Sequence, residues 1–328
     1  MPRLSPDVAA VRTAVRRSLA DLPAPALVLV GLSGGADSLA LSAAVSFVAP
    51  RAGLHWGVVV VDHGLQSGSA AVAGAAAQQA GALGAEVTEV VPVRVDGAGG
   101  PEAAAREARR RALRETAERL GAAAVLLAHT RDDQAETVLL GLARGSGARS
   151  LGGMRPRDGL WRRPLLGTDA ACTRAVCAHL GLDWWEDPHN ADTSFARVRV
   201  RQHLLPELER HLGPGVAGAL ARTADLLRDD ADALDALSAD LARSATASDG
   251  SLDVRALAAA PAALRTRVLR SAALAAGCPS TDLTRGHVAA LDRLVTAWHG
   301  QAGVDLPGGV LGHRVDGAIR VVPRGVGG

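Results

Sequence analysis

Short apolar runs alternate with helical segments along the first half of the chain, and this alternation constrains the fold more than any other feature of the sequence. The predicted strands are rich in Val, Leu and Ala and lie at 26–32, 55–62, 85–93 and 123–128. The predicted helices lie at 37–49, 69–83, 101–120, 133–144 and 169–181, after an amphipathic helix within residues 1–22. Apolar strands that alternate with helices are typical of a parallel sheet covered on both faces, so we predict an α/β fold with a doubly wound parallel sheet.

The pattern changes near LLPELERHLGPG, residues 204–215. Long helical patterns follow at about 216–244, 253–276 and 283–298. Near the end, Pro307-Gly308-Gly309 and Asp316-Gly317 are turn signals between short β-like runs. We therefore predict two domains: an α/β domain over 1–210 and a smaller, mainly helical domain over 211–328 that ends in a β-hairpin.

The first predicted strand leads into the tight turn SGGADS, residues 33–38. A Gly-Gly turn between a strand and a helix leaves backbone N–H groups that converge at the helix N-terminus, and this geometry binds phosphate. The turn matches neither the GxxxxGK[ST] nor the GxGxxG pattern. Taken alone, it is equally well explained as a simple turn with Asp37 as the helix N-cap. If a polyphosphate binds, Asp37 beside it suits Mg²⁺.

A second polar loop, AHTRDDQAET at 128–137, follows the fourth predicted strand. His129, Asp132 and Asp133 should therefore lie at the carboxyl edge of the sheet, where doubly wound folds bind ligands. Asp133 and Glu136 have the spacing of a capping box, which gives Asp133 a structural alternative. Two adjacent acids at this edge are also suited to support a metal or to polarise a nucleophile.

Arginine carries the positive charge, because the sequence contains no lysine. The net charge is only +2, so contact with a nucleic acid would have to come from local clusters. Two clusters of arginines stand out. The first lies on the helix 101–120, and its spacing is that of one shared, solvated helix face. The second alternates along the chain, which in a strand or extended loop would place its guanidinium groups on one side, where they could face phosphates. The first cluster is Arg106, Arg109 and Arg110, and the second is Arg197, Arg199 and Arg201. Arg144-Gly145-Ser146-Gly147 is either a helix stop or an anion-binding turn.

Other features exclude several classes of protein. The three cysteines, Cys172, Cys177 and Cys278, form no CxxC pair, which argues against a disulfide framework or a thiolate metal site. No apolar run reaches membrane-spanning length, and the N-terminal helix has no cleavage site. We predict a cytoplasmic protein without a membrane partner.

Taken together, SGGADS, DHGL at 62–65, AHTRDDQAET and RGSG at 144–147 resemble the PP-loop ATP pyrophosphatases. EAAAREARRRAL, RRPLL at 162–166, EDPHNADTSFARVRVRQHLLPEL and LPGG at 306–309 narrow the resemblance to short members of the tRNA(Ile)-lysidine synthetase family. The resemblance covers most of 26–212 and touches the C-terminal end.

The resemblance implies a PP-loop, adenine nucleotide alpha hydrolase-like fold and an ATP-dependent ligase. Such an enzyme adenylates the C2 oxygen of the wobble cytidine in tRNA(Ile) with a CAU anticodon. The ε-amine of free L-lysine then displaces AMP, leaving lysidine, and codon reading changes from AUG to AUA. The implied ligands are ATP, Mg²⁺, lysine and this tRNA. A homodimer stays open beside a monomer.

The resemblance also implies residue roles. ATP would contact Ser33, Gly34, Gly35, Ala36, Asp37, Ser38 and His129. The catalytic set would be Asp37, Asp132, Asp133, Arg106 and Arg109, with Asp37 as the Mg²⁺ ligand. The tRNA would contact Arg144, Arg197, Arg199 and Arg201.

The sequence departs from the family pattern at several places. Val198 and Gln202 replace an Asn and a His of the family's RNRIRH pattern, and His189 stands in DPHN where the family prefers serine. The family's HHxDD reads His129-Thr130-Arg131-Asp132-Asp133 here, and Arg110 stands where the family usually has tyrosine. Rival hypotheses on the same fold are a tRNA thiolation enzyme, an amidotransferase-linked synthetase and a non-catalytic nucleotide- or RNA-binding module. The missing CxxC pair disfavours thiolation, and nothing in the sequence reads as a glutamine-hydrolysing domain. The retained acids disfavour a binding module, which could hold phosphate with backbone amides alone.

Overall fold

The structure is a computed structural model that describes residues 5–64, 68–94 and 101–325. The chain divides into two compact units, Met1–Leu227 and Arg228–Gly328. In the described part of the chain, none of the helices is both long enough and apolar enough to span a membrane.

The first unit is built on a six-stranded sheet. Its strands are β1 (Leu27–Leu32), β2 (His55–Asp62), β3 (Val87–Pro92), β4 (Ala124–Leu126), β5 (Arg157–Asp158) and β6 (Trp161–Arg162). The helices are α1 (Pro6–Leu19), α2 (Ala36–Val48), α3 (Ser69–Ala82), α4 (Pro101–Leu120), α5 (Arg131–Ala143), α6 (Ala148–Leu151), α7 (Ala170–Leu180), α8 (Ala196–Arg199) and α9 (Leu205–Leu212). Helix α10 (Val216–Ala245) contains the division between the two units.

The order of the strands determines where a ligand can bind. The sheet runs β3-β2-β1-β4-β6-β5, parallel except for the edge strand β5, and confirms the predicted parallel sheet. The chain moves outward from β1 to β3 and then returns to β4 on the other side of β1. The loops after β1 and β4 therefore leave the sheet side by side at the point where the direction reverses, which is the usual ligand site of such folds.

Helices cover both faces of this sheet, as the strand composition predicts. Val28 and Val30 of β1 pack in a core with α1, α2, α3 and α7, while Leu29 packs on the opposite face with Leu113 of α4 and Trp161. The N-terminal helix is amphipathic as predicted, because its buried residues recur at helical spacing. These residues are Val8, Val11, Val15 and Leu19.

The structure also corrects several element predictions in this unit. Strand β4 ends at Leu126, before the predicted residue 128, and helix α5 begins at Arg131, before the predicted residue 133. The short strands β5 and β6 were not predicted, because a two-residue strand has no periodicity to detect.

The second unit combines helices with a small sheet. Its helices are α11 (Val254–Ala259), α12 (Ala262–Ala275) and α13 (Arg285–Thr296), and its strands are β7 (Leu252–Asp253), β8 (Val304–Leu306), β9 (Val310–Val315) and β10 (Ala318–Pro323). The buried side chains of Leu257, Leu269, Leu291 and Ile319 belong to its core.

One prediction for this unit was wrong, and another was confirmed but incomplete. The predicted helix 253–276 is broken into α11 and α12 at Pro261, which lacks the N–H that a continuous helix needs. The predicted terminal hairpin is β9 and β10, joined at Asp316-Gly317, but it forms part of a four-stranded antiparallel sheet, β7-β10-β9-β8. The second turn signal, at 307–309, joins β8 to β9.

Close packing between β2 and β3 makes Gly57 a sensitive position. A Cβ atom at Gly57 would lie 2.7 Å from both the Cβ and the carbonyl oxygen of Val87, so β3 would have to move. We expect Gly57→Ala to lower the free energy of unfolding by about 1–3 kcal/mol in urea titrations followed by circular dichroism. Gly74→Ala is the matched control, because Gly74 lies in α3 with no atom within 4 Å of the added Cβ. It should be neutral or stabilising by up to about 1 kcal/mol. Equal effects from the two substitutions would contradict this packing.

Candidate active site

The turn after β1 forms an open cradle of backbone N–H groups. Gly34 has a φ of +83°, a conformation that favours glycine. Gly35 is the N-cap of α2 and supplies no side-chain cap, so the first-turn N–H groups have no side-chain acceptor there. The hydroxyl of Ser38 braces the turn: it accepts a hydrogen bond from the Ser33 N–H at 3.2 Å and donates to the Gly35 carbonyl at 2.9 Å. This arrangement is suited to phosphate oxygens.

Asp37 is not the N-cap that the alternative interpretation of the turn required. It is the second residue of α2, because the helix begins one residue earlier, at Ala36. The hydroxyl of Thr173 in α7 donates a short hydrogen bond to its carboxylate. Burial raises the pKa of Asp37 above its usual range, and the neighbouring charge of Asp133 raises it further, against the effects of Thr173, Arg174 and Arg201. A cation at this carboxylate would be stabilised by the same two acids.

The loop after β4 holds Asp133 in two roles. Thr130 is the N-cap of α5 and forms a capping box with Asp133: the Thr130 N–H donates to Asp133 Oδ2 at 2.8 Å, and the Asp133 N–H donates to Thr130 Oγ1 at 3.5 Å. The predicted capping box, with Asp133 as the N-cap and Glu136 as its partner, was therefore wrong. The helix starts at Arg131, so Thr130 is the N-cap and Asp133 is its partner three residues later. The other carboxylate oxygen of Asp133 accepts a hydrogen bond from Arg201 Nη2 at 3.0 Å.

Glu136 is a buried acid that the sequence interpretation did not place in the site. Its side chain has 0% exposure and receives Arg201 Nε at 2.5 Å and Arg201 Nη2 at 3.1 Å, and Arg197 Nε lies 3.4 Å away. Burial raises the pKa of Glu136, whereas the hydrogen bonds and charge of Arg201 lower it. The i, i+3 spacing from Asp133 on α5 was the signal that could have found it.

The second arginine cluster does not lie in a strand or an extended loop. Residues 196–199 form α8, and Val200–Leu204 continue as a π-helical turn. Arg197 and Arg201, four residues apart, both face Glu136, whereas Arg199 donates to the carbonyls of Thr193 and Ser194. Helical spacing therefore prevents the three guanidinium groups from sharing one side. The alternation with valine resembled a strand, but Val198 and Val200 are buried on a helix.

Several other candidate residues lie outside this acidic cluster. Asp132 Oδ2 accepts a hydrogen bond from the Ala170 N–H at 2.8 Å, at the start of α7. Arg144 is the exposed C-cap of α5 and is followed by Gly145 with a φ of +66°, as a helix stop requires. Arg106 and Arg109 are exposed on α4, and Arg110 lies over the Trp161 ring at 5.2 Å.

Imidazoles and guanidinium groups line the same edge of the sheet. Burial lowers the pKa of His129 to about 4; Asp133 opposes this shift, and the charges of Arg163, Arg106 and Arg109 add to it. His129 is therefore neutral at physiological pH, and its buried Nδ1 has no hydrogen-bond partner among the described residues.

His63, which follows β2, has a similar environment. Burial and the charge of Arg109 lower its pKa, and its buried Nδ1 also lacks a partner in the described part of the chain. His63 and Arg163 were not among the predicted site residues. The available signal was their position in the chain. His63 in DHGL follows β2 directly, and Arg163 in RRPLL follows β6 directly, so both lie at the carboxyl ends of strands of this sheet.

The residues present fit a magnesium ion better than a metal with an all-protein ligand set. Among residues 5–64, 68–94 and 101–325, no group of three or more His, Cys, Asp or Glu side chains could hold a metal ion. Mg²⁺ in nucleotide sites is usually bound by one or two carboxylates together with phosphate oxygens and waters. Asp37 and Asp133, beside the N–H cradle, provide that kind of ligand set.

Comparison with known proteins agrees with this geometry. The sequence matches the PP-loop domain family over residues 10–208 and the TilS substrate binding domain over 252–320. It is 58% identical to the tRNA(Ile)-lysidine synthase of Thermobifida fusca over 316 residues, covering 96% of this chain and 98% of that protein. It is 53% identical to the tRNA(Ile)-lysidine synthase of Salinispora tropica over 330 residues, covering 99% of each. The chain belongs to the tRNA(Ile)-lysidine synthase family. The family predicted from the motifs is thereby confirmed.

A solved structure supports the fold of the lysidine synthase family in this chain. The U34-tRNA thiolase NcsA from Methanococcus maripaludis, solved with its [4Fe-4S] cluster, superimposes with a TM-score of 0.57 at 18% identity, covering 68% of this chain and 80% of that one. This likeness shows the PP-loop fold alone. The use of ATP follows from the family of the chain and not from this structure.

The environment of His129 predicts a specific pH dependence of stability. Its folded pKa of about 4 lies below the ordinary value of 6.5, so between these values a proton binds the unfolded chain more tightly than the folded one. The stability that this effect provides is present above pH 6.5 and is lost as the pH falls toward 4. We expect His129→Asn to flatten the fall in the free energy of unfolding over this window, measured by urea titration. His179→Asn, at an exposed position of α7, should keep the wild-type slope. Identical slopes for all three proteins would contradict a neutral His129 in the folded protein.

Proposed function

We propose that this chain ligates free L-lysine to C2 of the wobble cytidine of tRNA(Ile) with a CAU anticodon. The cytidine is first adenylated by ATP, and the lysine ε-amine then displaces AMP, so the products are lysidine, AMP and pyrophosphate, and codon reading changes from AUG to AUA. The observation that carries this proposal is the convergence of the N–H cradle, Asp37 and Asp133 at one sheet edge in a member of this family.

ATP would bind with its phosphates in the turn after β1. The first N–H groups of α2 and the hydroxyls of Ser33 and Ser38 are the donors for the phosphate oxygens, with His129 nearby as a neutral imidazole. Asp37, together with Asp133, would hold Mg²⁺, which when bound supplies charge neutralisation to the phosphates. Thr173 keeps the Asp37 carboxylate oriented toward this position.

Positive charge is needed where pyrophosphate departs and where the cytidine oxygen attacks. We assign this role to Arg106 and Arg109 on α4, supported by Arg163 at the same edge, because preorganised cations stabilise charge that develops in the transition state. The neutral state of His129 lets it donate or accept a hydrogen bond without adding to this charge.

The lysine amine must be neutral when it attacks, so a carboxylate has to bind the ammonium group and accept a proton. Asp133 holds Mg²⁺ with Asp37 during adenylation, and we assign it to the lysine amine in the second step, after pyrophosphate has left. Glu136 lies behind it and fixes Arg201. Asp132 acts as a positioning residue, because its hydrogen bond to Ala170 holds the start of α7 and so the helix that carries Thr173.

We assign the ATP chemistry to residues 1–210 and tRNA contacts to 211–328. Arg144 and Arg199 are exposed and are the better candidates for tRNA phosphates within the first part. Arg197 and Arg201 are instead engaged with Glu136, and we propose that they organise the site. The chemistry requires one chain and is equally compatible with a homodimer. We also propose that the enzyme works in the cytoplasm, where its substrates are found.

Thiolation is less well supported by the cysteines. Burial raises the pKa of both Cys172 and Cys177 to about 11, so neither is an activated thiolate in the protein without a metal. The two side chains also point to different neighbours on α7: Cys172 Sγ contacts the Asp7 carbonyl, and Cys177 Sγ contacts the Ala36 carbonyl. They are not arranged as a pair.

The two-step reaction can be tested by following its products separately. With purified protein and a tRNA(Ile) transcript carrying CAU, ATP–pyrophosphate exchange should require the tRNA alone, whereas AMP release should require both tRNA and lysine. A transcript with uridine at the wobble position should support neither. AMP release that is independent of this tRNA or of lysine would overturn the proposal.

Asp37→Ala should reduce AMP release by at least about a hundredfold. The substitution removes the carboxylate that would hold Mg²⁺, and so removes the positive charge that would stabilise the phosphates. Its circular dichroism spectrum should match that of the wild type. Asp183→Ala is the matched control, since it removes a carboxylate at an exposed position of the same unit. Retained activity in Asp37→Ala would refute the metal-binding role.

A further inference from the structure

A second cationic pocket lies at the other end of α2. It is an open groove of about 300 Å³. Arg12 and Arg16 of α1, Phe47 of α2 and Arg51 just after α2 line it, together with the small or apolar residues Ala9, Thr13, Val48 and Ala52. Phe47 is ten residues along the helix from Asp37, a distance of about 15 Å at the rise of an α-helix. Because α2 starts at the carboxyl edge of the sheet, the pocket is separate from the candidate active site.

Two guanidinium groups pack against the ring of Phe47. The Cζ atoms of Arg12 and Arg51 lie 3.6 Å and 3.7 Å from the ring centroid. The ring therefore attracts two cations at once, because the face of an aromatic ring carries partial negative charge.

This cluster lacks the acidic partners that accompany other arginines of the chain. Arg131 pairs with Asp169, and Arg265 pairs with Asp292. In contrast, no carboxylate within the described ranges lies within ion-pair distance of Arg12, Arg16 or Arg51. Burial lowers the pKa of Arg12, and the charge of Arg51 lowers it further, so each cation disfavours the other.

Capping of the helix explains only part of the cluster. Arg51 Nη1 donates to the Phe47 carbonyl at 2.8 Å, as expected near a helix C-terminus, and Arg16 Nη2 donates to Thr13 Oγ1 at 3.1 Å. Neither bond explains why Arg12 is placed against the ring of Phe47. Each guanidinium carries five N–H donors, so donors remain for a ligand.

We propose that the Arg12–Phe47–Arg51 pocket, with Arg16, is a second anion-binding site whose ligand is a phosphate group. Arginine binds phosphate through paired N–H donors, and a phosphate would compensate the repulsion between the cations. The phosphate comes either from the backbone of a nucleic acid or from a free polyphosphate. The site does not depend on the proposed ligation reaction.

Binding measurements on charge-neutralised variants test this site. For Arg12→Gln/Arg51→Gln, we expect the affinity for a tRNA transcript to fall about 3- to 10-fold at 0.15 M salt, with a shallower dependence on salt, since each lost phosphate contact removes about 0.9 from the slope. Arg119→Gln is the matched control, because Arg119 is exposed on α4 and pairs with Glu89. It should stay within about twofold of the wild type.

A second arm uses pyrophosphate in titration calorimetry. The turn after β1 is also a proposed phosphate site, so the wild type should bind pyrophosphate at two places. The measured quantity is therefore the number of pyrophosphate molecules bound per protein, which should be one lower in the double variant. A change confined to tRNA assigns the pocket to a nucleic-acid backbone, and a change confined to pyrophosphate assigns it to a free polyphosphate. If the double variant binds both ligands as Arg119→Gln does, the proposal is overturned.

A folding control keeps the test decisive. Circular dichroism should show the double variant to be folded. If it is not, Arg16→Gln decides the question, since the one side-chain hydrogen bond of Arg16 within the described residues is an exposed contact with Thr13. Its tRNA or pyrophosphate affinity should still fall below that of Arg119→Gln, and equal affinities would overturn the proposal. None of these readouts involves lysine or turnover, so they are independent of the ligation reaction.

Discussion

The parallel pairing of β1 with β4 is the constraint on which the candidate active site depends. Val28, Leu29 and Val30 align with Ala124, Val125 and Leu126, although the two strands are far apart in sequence. This pairing places the turn after β1 beside the loop after β4, and so places the N-termini of α2 and α5 side by side. Without it, a phosphate cradle and a pair of acids would belong to separate surfaces, and neither could support the proposed adenylation.

The second requirement is the compensation of buried negative charge. Glu136 is fully buried, and a buried carboxylate is strongly unfavourable unless it is paired. Arg197 and Arg201 supply the pairing from one helical face, and Arg201 also reaches Asp133. Asp133 in turn caps α5 and raises the pKa of Asp37. The residues that stabilise this part of the fold are therefore the same residues that set the charge of the site.

The sequence predicted the sheet and the two loops because their signals are local. Apolar runs and glycine turns identified β1, β2 and the cradle, and the motifs identified the family. The ion pairs were not predictable in this way, because Glu136 and Arg201 meet only after α8 and the π-helical turn have formed. Alternation of arginine and valine fits a strand as well as a helix, and tertiary packing decided between them. The lysine and the tRNA came from the resemblance, not from the loops.

A double-mutant cycle on the binding of Mg²⁺·ATP tests most directly whether Asp37 and Asp133 form one site. The affinities of the wild type, Asp37→Asn, Asp133→Asn and the double variant would be measured by calorimetry, with ATP in EDTA as the metal-free reference. If both carboxylates bind the same cation, the double variant should lose little more affinity than the single variant that binds more weakly. The losses of the two single variants should then add up to more than the loss of the double variant by above about 1 kcal/mol. This difference should disappear in EDTA. Losses that add to within about 0.5 kcal/mol would show that the two acids act independently and would contradict a shared site.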